Sequence, residues 1–325
     1  MSFPNDYPKY LTYESRKQKP SVVFQEYPLP LLAEGEKYYP DNTLLLNYFT
    51  SEKEKQKFSA SQFCSFLGDT IEVEHCLVIP AIASLRRIPF NIPSKPKQDL
   101  YKTATDEGHH AEQAVIYLTE LENHFGVPKP AGSPLPLFMR RLEDQRSMET
   151  DPVYKELIKV LNGIVTETRI SVELSQFAAN EDLSDSVRKI CLSHAKDEAI
   201  HSSQFQALGR WLWDAFDKST KEKASKTFIN SIIARSLPDL DSIIYSFMKS
   251  TGRSFQDATQ IVLNVYNEDV LIEEMSFAAK PTLLYMSKLG VNDYSSFDLE
   301  IEMERQKIYF ELSAKRGNLN SPYMQ

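Results

Sequence analysis

Two short spacings in this chain set a carboxylate and an imidazole one helical turn apart: Glu107-x-x-His110 and Glu198-x-x-His201. Residues three apart lie on one face of a helix, so each pair can offer both donors to the same point. Both pairs interrupt apolar stripes. Around the second, steps of three and four give Val187, Cys191, His194, Glu198, His201, Phe205, Leu208 and Leu212. Around the first they give Leu100, Thr103, Glu107, His110, Ala114, Tyr117 and Leu121. Burying an unpartnered carboxylate is costly, so a glutamate on a core-facing seam needs an internal cation or a dense hydrogen-bond network. Carboxylate and imidazole together favour iron or manganese, whereas calcium prefers oxygen alone. His194, one turn before Glu198, adds a nitrogen to the same face. His75, His109 and His124 read as surface or packing residues, and Trp211 and Trp213 as packing groups rather than redox relays.

A paired-metal site between four helices needs a further carboxylate from each of the two remaining helices. Glu167 is the candidate on the apolar segment LIKVLNGIVTETRISVEL, with Glu173 as its rival. On the first helix the choice is between Glu72 and Glu74. Measured against Leu67, Ile71, His75, Val78 and Ile82, both fall at the edges of the apolar face, and the pattern alone does not choose.

The elements that must position these residues are long helices. Hydrophobic periodicity and proline punctuation predict helices over 53–87, faltering near Pro80, and over 98–125, ending at Gly126-Val127-Pro128. A proline-rich connection runs from Pro128 to Pro136. Further helices are expected over 151–180, over 183–216 with Ser184 as N-cap, over 221–236 and over 240–251. A last stretch, 254–289, is expected to be interrupted at Pro281. The first 45 residues, rich in proline and tyrosine, read as an extended arm. The chain is therefore expected to be one all-helical domain over 1–325: an arm (1–45), a metal-binding bundle (53–216), and additional helices with a tail (221–325).

Composition agrees and narrows the function. The chain has 325 residues, 37 Lys+Arg against 45 Asp+Glu and a net charge of −8, which argues against a nucleic-acid or anionic-membrane ligand. Its 10 glycines are few for a sheet protein, which spends glycine on hairpins and bulges. Cys64, Cys76 and Cys191 make no disulfide framework, so a reducing, cytoplasmic location is expected. The longest apolar run, from Cys76 to Leu85, is too short for a bilayer span. The first residues carry no signal or transit pattern, so the mature chain is expected to start at Met1.

The order Glu72, Glu107-x-x-His110, Glu167, His194-x-x-x-Glu198-x-x-His201 resembles the ferritin-like diiron N-oxygenases, of which the p-aminobenzoate N-oxygenases (AurF-like enzymes) are the best-known members. The extra histidine, His194, is the discriminating feature. The resemblance implies an all-α, ferritin-like four-helix bundle core and two non-haem iron ions. It favours Glu72 over Glu74. It would make Glu107 and Glu198 the bridging carboxylates, with Glu72 and His110 completing one iron and Glu167, His194 and His201 the other. Glu107, Glu198 and His194 would then be the catalytic residues. Asp106 and Asp197 would accept the second ring N–H of His201 and His110 from the opposite helix.

The implied chemistry is O₂ activation. A reduced diiron pair binds the O₂ co-substrate, becomes a peroxo-diferric species and oxidises an amine nitrogen to hydroxylamine, with nitroso and nitro as further stages. An external electron donor of the ferredoxin or reductase type re-reduces the iron, and a homodimer is an expected assembly. No arginine can be placed where an aromatic carboxylate would be held, because Glu273 and Glu274 occupy that late region. The substrate expected is a small arylamine or an amino-acid-derived amine from secondary metabolism, with Thr168 and Ser171 leaving room for it.

Three rivals share parts of the pattern. A ribonucleotide-reductase-like subunit needs a radical tyrosine where Ala114 stands. A ferroxidase or other ferritin-like oxidase predicts a shorter, cage-forming chain. A metal-free scaffold would have the inward Glu and His residues bond one another.

Overall fold

The computed structural model of the chain describes residues 32, 36–40, 44–125 and 135–294. Most of the expected arm, the connection 126–134 and the tail from 295 lie outside the described residues. Within them the chain is all-helical, and its only extended feature is a single bridge between Lys37 and Leu183.

The helices are α1 (Glu52–Glu72), α2 (Ile79–Ser84), α3 (Ser94–Phe125), α4 (Leu137–Met148) and α5 (Pro152–Ala179). They continue with α6 (Asp185–Ala215), α7 (Lys218–Ser236), α8 (Leu240–Thr251), α9 (Phe255–Val265) and α10 (Glu268–Leu289). Their ends follow local chemistry. Ser51, Asp151, Ser184, Asp217, Asp239, Ser254 and Asn267 each accept a hydrogen bond from a first-turn backbone N–H. Gly252 and Gly290 close α8 and α10 in the left-handed conformation that favours glycine.

Between α1 and α2 the rod does not break. Val73–Val78 form a π-helical turn, with Pro80 just beyond it. Proline lacks an N–H and its ring crowds the carbonyl four residues back, and the wider turn lets the chain pass that obstacle without ending. The burial pattern carries the same signature: Thr70, Glu74, Val78 and Ile82 form one buried row and Val73, Leu77, Ala81 and Leu85 another. In an ideal α-helix each four-residue step drifts by about 40°; the underwound turn absorbs that drift.

The α1–π–α2 rod, α3, α5 and α6 share one interior: α5 lies along α6, α1 along α3, and α2 against α5, while the π turn touches both α3 and α5. At Gly163 the approach leaves no room for a side chain, since a Cβ there would sit 2.7 Å from the Ala81 Cβ. A second apolar cluster, including Phe58, Ile244, Phe247, Val262 and Met275, lies under α7–α10.

Two expectations are corrected. Pro281 does not interrupt the last stretch, because it lies inside α10. The break falls at Tyr266 and Asn267, where the Asn267 side chain accepts the Val270 N–H at 3.2 Å and starts a new helix. The helix over Leu137–Met148 was not anticipated; its apolar Leu137, Phe138, Met139 and Leu142 are buried on one side, behind Pro136 at the N-cap.

Candidate metal centre

Seven side chains from four elements converge in the shared interior: Glu74 from the π turn, Glu107 and His110 from α3, Glu167 from α5, and His194, Glu198 and His201 from α6. None exposes more than 7% of its surface. Glu107 Oε2 lies 2.9 Å from His110 Nδ1, and Glu107 Oε1 lies 2.9 Å from His201 Nδ1. Glu198 Oε1 is the hub, at 3.1 Å from His110 Nδ1, 3.1 Å from His194 Nε2 and 3.2 Å from His201 Nδ1. The His110 and His194 rings stand 3.9 Å apart between centroids, and His194 Nε2 is 3.7 Å from Glu74 Oε1.

The hydrogen bonds do not close. Both oxygens of Glu74, both of Glu167 and Oε2 of Glu198 are buried and meet no donor among the described residues. Burial, and then the charges of Glu107 and Glu198, push the Glu74 carboxyl well above its usual range; burial and the same two neighbours do so for Glu167. Glu198 and Glu107 stay low despite burial, because the histidines face them. His110 and His201 are raised well above 6.5, their carboxylate neighbours outweighing the opposing effect of burial. His194 is lowered, by burial and then by His110, which leaves its ring nitrogen free to donate a lone pair.

Four acids in one buried space, two of them with no hydrogen-bond donor on either oxygen, fit a site for divalent cations. Three sets of ligand atoms lie within 4.8 Å of one another: Glu74, His110, His194 and Glu198; Glu107, His110, Glu198 and His201; and Glu74, Glu107 and Glu167. A carboxylate has two oxygens and can serve two ions, whereas an imidazole nitrogen serves one. Glu74, Glu107, Glu198 and His110 each belong to two of these sets.

Six of the seven residues singled out in the sequence are brought together, and one is not. Glu72 is half-buried and belongs to none of the clustered ligand sets. The first-helix carboxylate in the cluster is Glu74, which is fully buried. The reason is register: Glu74 is two turns beyond Leu67, on the same face, and the π turn keeps it aimed inward. His194 is grouped with Glu74, His110 and Glu198. Of the expected outer pairs, His201 Nε2 is hydrogen-bonded to Asp106 Oδ2 at 3.3 Å, whereas His110 Nε2 lies 3.5 Å from Asp197 Oδ2 without a hydrogen bond. His75, His109 and His124 lie outside the cluster and are exposed.

One cavity adjoins the cluster and a second lies beyond it. A small void beside His110 and His194 is walled by Phe63, Leu67, Ala114 and Leu174. A cavity of about 660 Å³ lies between α1, α5, α7 and α10, with exposed Phe277 and Val172 at its rim. Phe66 and Thr70 line both and form the partition between them. Thr168 and Ser171 do not line the large cavity; Thr168 is buried and bonded to Thr282 at 2.9 Å. Arg169, Arg235 and Glu274 do line it. The two arginines were missed because each looks like an ordinary polar position on its own helix. No protein-family model matches the chain, and no curated protein matches it. No helix among the described residues is long and apolar enough to cross a membrane.

Proposed function

We propose that this chain is a non-haem diiron oxygenase with a ferritin-like bundle core, which uses O₂ to oxidise the nitrogen of a small amine. The observation that carries the reading is the unclosed cluster: buried, donor-less oxygens of Glu74, Glu167 and Glu198 beside three histidines. A metal-free scaffold would have paired them. The donor set, four carboxylates and three imidazoles, suits iron.

Two irons, if held there, would supply O₂ binding and redox chemistry. The chain's residues supply the rest. Glu74, Glu107, Glu167, Glu198 and the three histidines would hold the ions. Asp106 accepts the ring N–H of His201, which fixes its tautomer and aims its other nitrogen inward, and Asp197 stands 3.5 Å from the outer nitrogen of His110. The apolar walls around His110 and His194 exclude water. Overall, amine, O₂, two electrons and two protons give hydroxylamine and water, with the electrons coming from an external donor. His194, the histidine that separates this pattern from simpler diiron proteins, supports nitrogen oxidation over iron storage.

Anaerobic iron loading followed by metal analysis, then exposure to isotopically labelled O₂ with reductant and a panel of amines, tests this. The expected outcome is two irons per chain and label in a hydroxylated amine. His194→Ala is expected to keep iron and lose product. A chain that takes up no iron, or one that oxidises iron and labels no amine, overturns the reading; the second result is the ferroxidase alternative.

A further inference from the structure

Ser59, on α1, commits its whole hydroxyl to residues outside the helices. Its oxygen accepts the backbone N–H groups of Tyr38 and Tyr39, each at 2.9 Å, and it donates its proton to the Tyr39 carbonyl at 3.3 Å. A hydroxyl has one donor and two acceptor positions, so all three are used on one dipeptide. One residue earlier, the Lys37 carbonyl accepts the Ser184 N–H at 2.8 Å, at the N-cap of α6. Residues 36–40 are thus a strap tied to α1 and to α6, the helix that carries His194, Glu198 and His201. Burial, and then the charges of Glu36 and Glu120, push the Tyr38 hydroxyl up to about 12, which sets it near α3 as well.

What lies under the strap gives it a role. Tyr38 is fully buried and stacks on Phe63, with ring centroids 6.3 Å apart and planes 9° from parallel. Tyr39 packs against Phe66 at 6.2 Å and edge-on against Phe177 at 5.1 Å. Phe63 and Phe66 wall the small void beside His110 and His194, so each of these rings meets the void and a strap tyrosine. Cys191, one turn before His194, lines the same void and is buried. Residues 36–40 belong to no helix, so their hydrogen bonds run to other elements. Segments of that kind open locally while the body stays folded.

We propose that residues 36–40 are a strap whose undocking opens the void beside His110 and His194 to solutes, and whose docking keeps water from the metal cluster. With Tyr38 away, Phe63 loses its backing and its ring is free to turn out of the void wall. The strap thereby sets access to the cluster from outside the ligand set. This inference rests on the iron reading for what the opening admits, dioxygen and reductant, but the opening itself needs no metal.

Cys191 is the probe that tests it. In the full metal-free chain carrying Cys64→Ser and Cys76→Ser, N-ethylmaleimide addition at Cys191 is timed by peptide mass spectrometry, alongside denaturant unfolding. The parental rate is expected to be flat in denaturant well below the unfolding transition, as local opening requires; a rate that rises only in step with global unfolding overturns the proposal, and this arm needs no variant to fold. Ser59→Ala removes all three bonds and suits α1, since alanine is the best helix former. It is expected to speed labelling about tenfold, as loss of a buried hydrogen bond implies. Tyr38→Ala should act likewise, whereas Tyr38→Phe, which keeps the stacked ring, should label near the parental rate. Parental labelling rates in both Ser59→Ala and Tyr38→Ala overturn the strap. On the iron-loaded chain a chelator should strip iron faster from Ser59→Ala in the same proportion; equal stripping beside faster labelling overturns its role at the metal cluster. A chain that takes up no iron fails the iron reading alone, and the thiol test still decides the strap.

Discussion

Two buried polar groups sit five residues apart on α5, and they have been solved in opposite ways. Asn162 faces α7, where its Oδ1 accepts the Ser231 hydroxyl at 2.6 Å; that hydroxyl also lies 2.7 Å from the Thr227 carbonyl, and the Thr227 hydroxyl meets Tyr154 at 3.2 Å. That network closes on itself and joins two helices. Glu167 faces the four-element interior, and neither of its oxygens finds a donor. Burial is equal, with Asn162 4% exposed and Glu167 fully covered. The difference is completion. A closed network of neutral groups is a packing device, whereas an open set of acids beside histidines is shaped for something the chain does not itself contain.

The contrast can be broken most sharply at the first-helix acid. Glu74→Gln is expected to cut iron stoichiometry to one ion per chain or fewer, with Glu72→Gln left at the parental value; metal analysis of the two variants side by side reads this. Equal loss in both would return Glu72 to the cluster and sink the register argument.

Protons stand in for cations when the metal is removed, which gives a pH dependence of definite sign. The folded-state values of Glu74 and Glu167 lie above the ordinary 4.5, so the folded metal-free chain binds extra protons and loses stability as pH rises from there. His110 and His201, raised above 6.5, contribute stability that is complete below 6.5 and is lost as pH climbs through their folded values; His194, lowered, offsets part of this. Thermal unfolding of the chelator-treated chain should therefore show a falling midpoint with rising pH. Iron at a hundred times its dissociation constant should add about 2.7 kcal/mol and flatten the slope. A metal-free chain whose stability rises over that interval contradicts the arrangement.

The smallest effect belongs to the closed network. Asn162→Ala leaves the Ser231 hydroxyl without one of its acceptors and is expected to cost about 1–3 kcal/mol, with iron binding unchanged. Denaturant unfolding and metal analysis on the same sample would show whether the two groups are as independent as their hydrogen bonding suggests.

Much of the centre was legible because the relevant distances are set within single helices. Glu107 and His110, and likewise His194, Glu198 and His201, are one turn apart, and one turn is a fixed length whatever the tertiary structure does. Glu167 could be read as a candidate in an apolar run, with Glu173 as its rival. Helix ends with their own caps, such as Ser184, could be read for the same reason. Where a boundary depended on longer-range context the reading failed: Pro281 stays helical inside α10, and the break came instead at an asparagine cap.

Local spacing determined that the chain is helical and that two of its helices carry carboxylate–imidazole pairs on apolar faces, because helical periodicity and side-chain chemistry act over a few residues. Only the tertiary structure decided that Glu74 rather than Glu72 lies in the cluster, that His194 stands with His110, and that Arg169 and Arg235 line one cavity. Those outcomes depend on an underwound turn and on contacts between helices far apart in the chain, where a rotation of part of a turn decides which side chain faces inward.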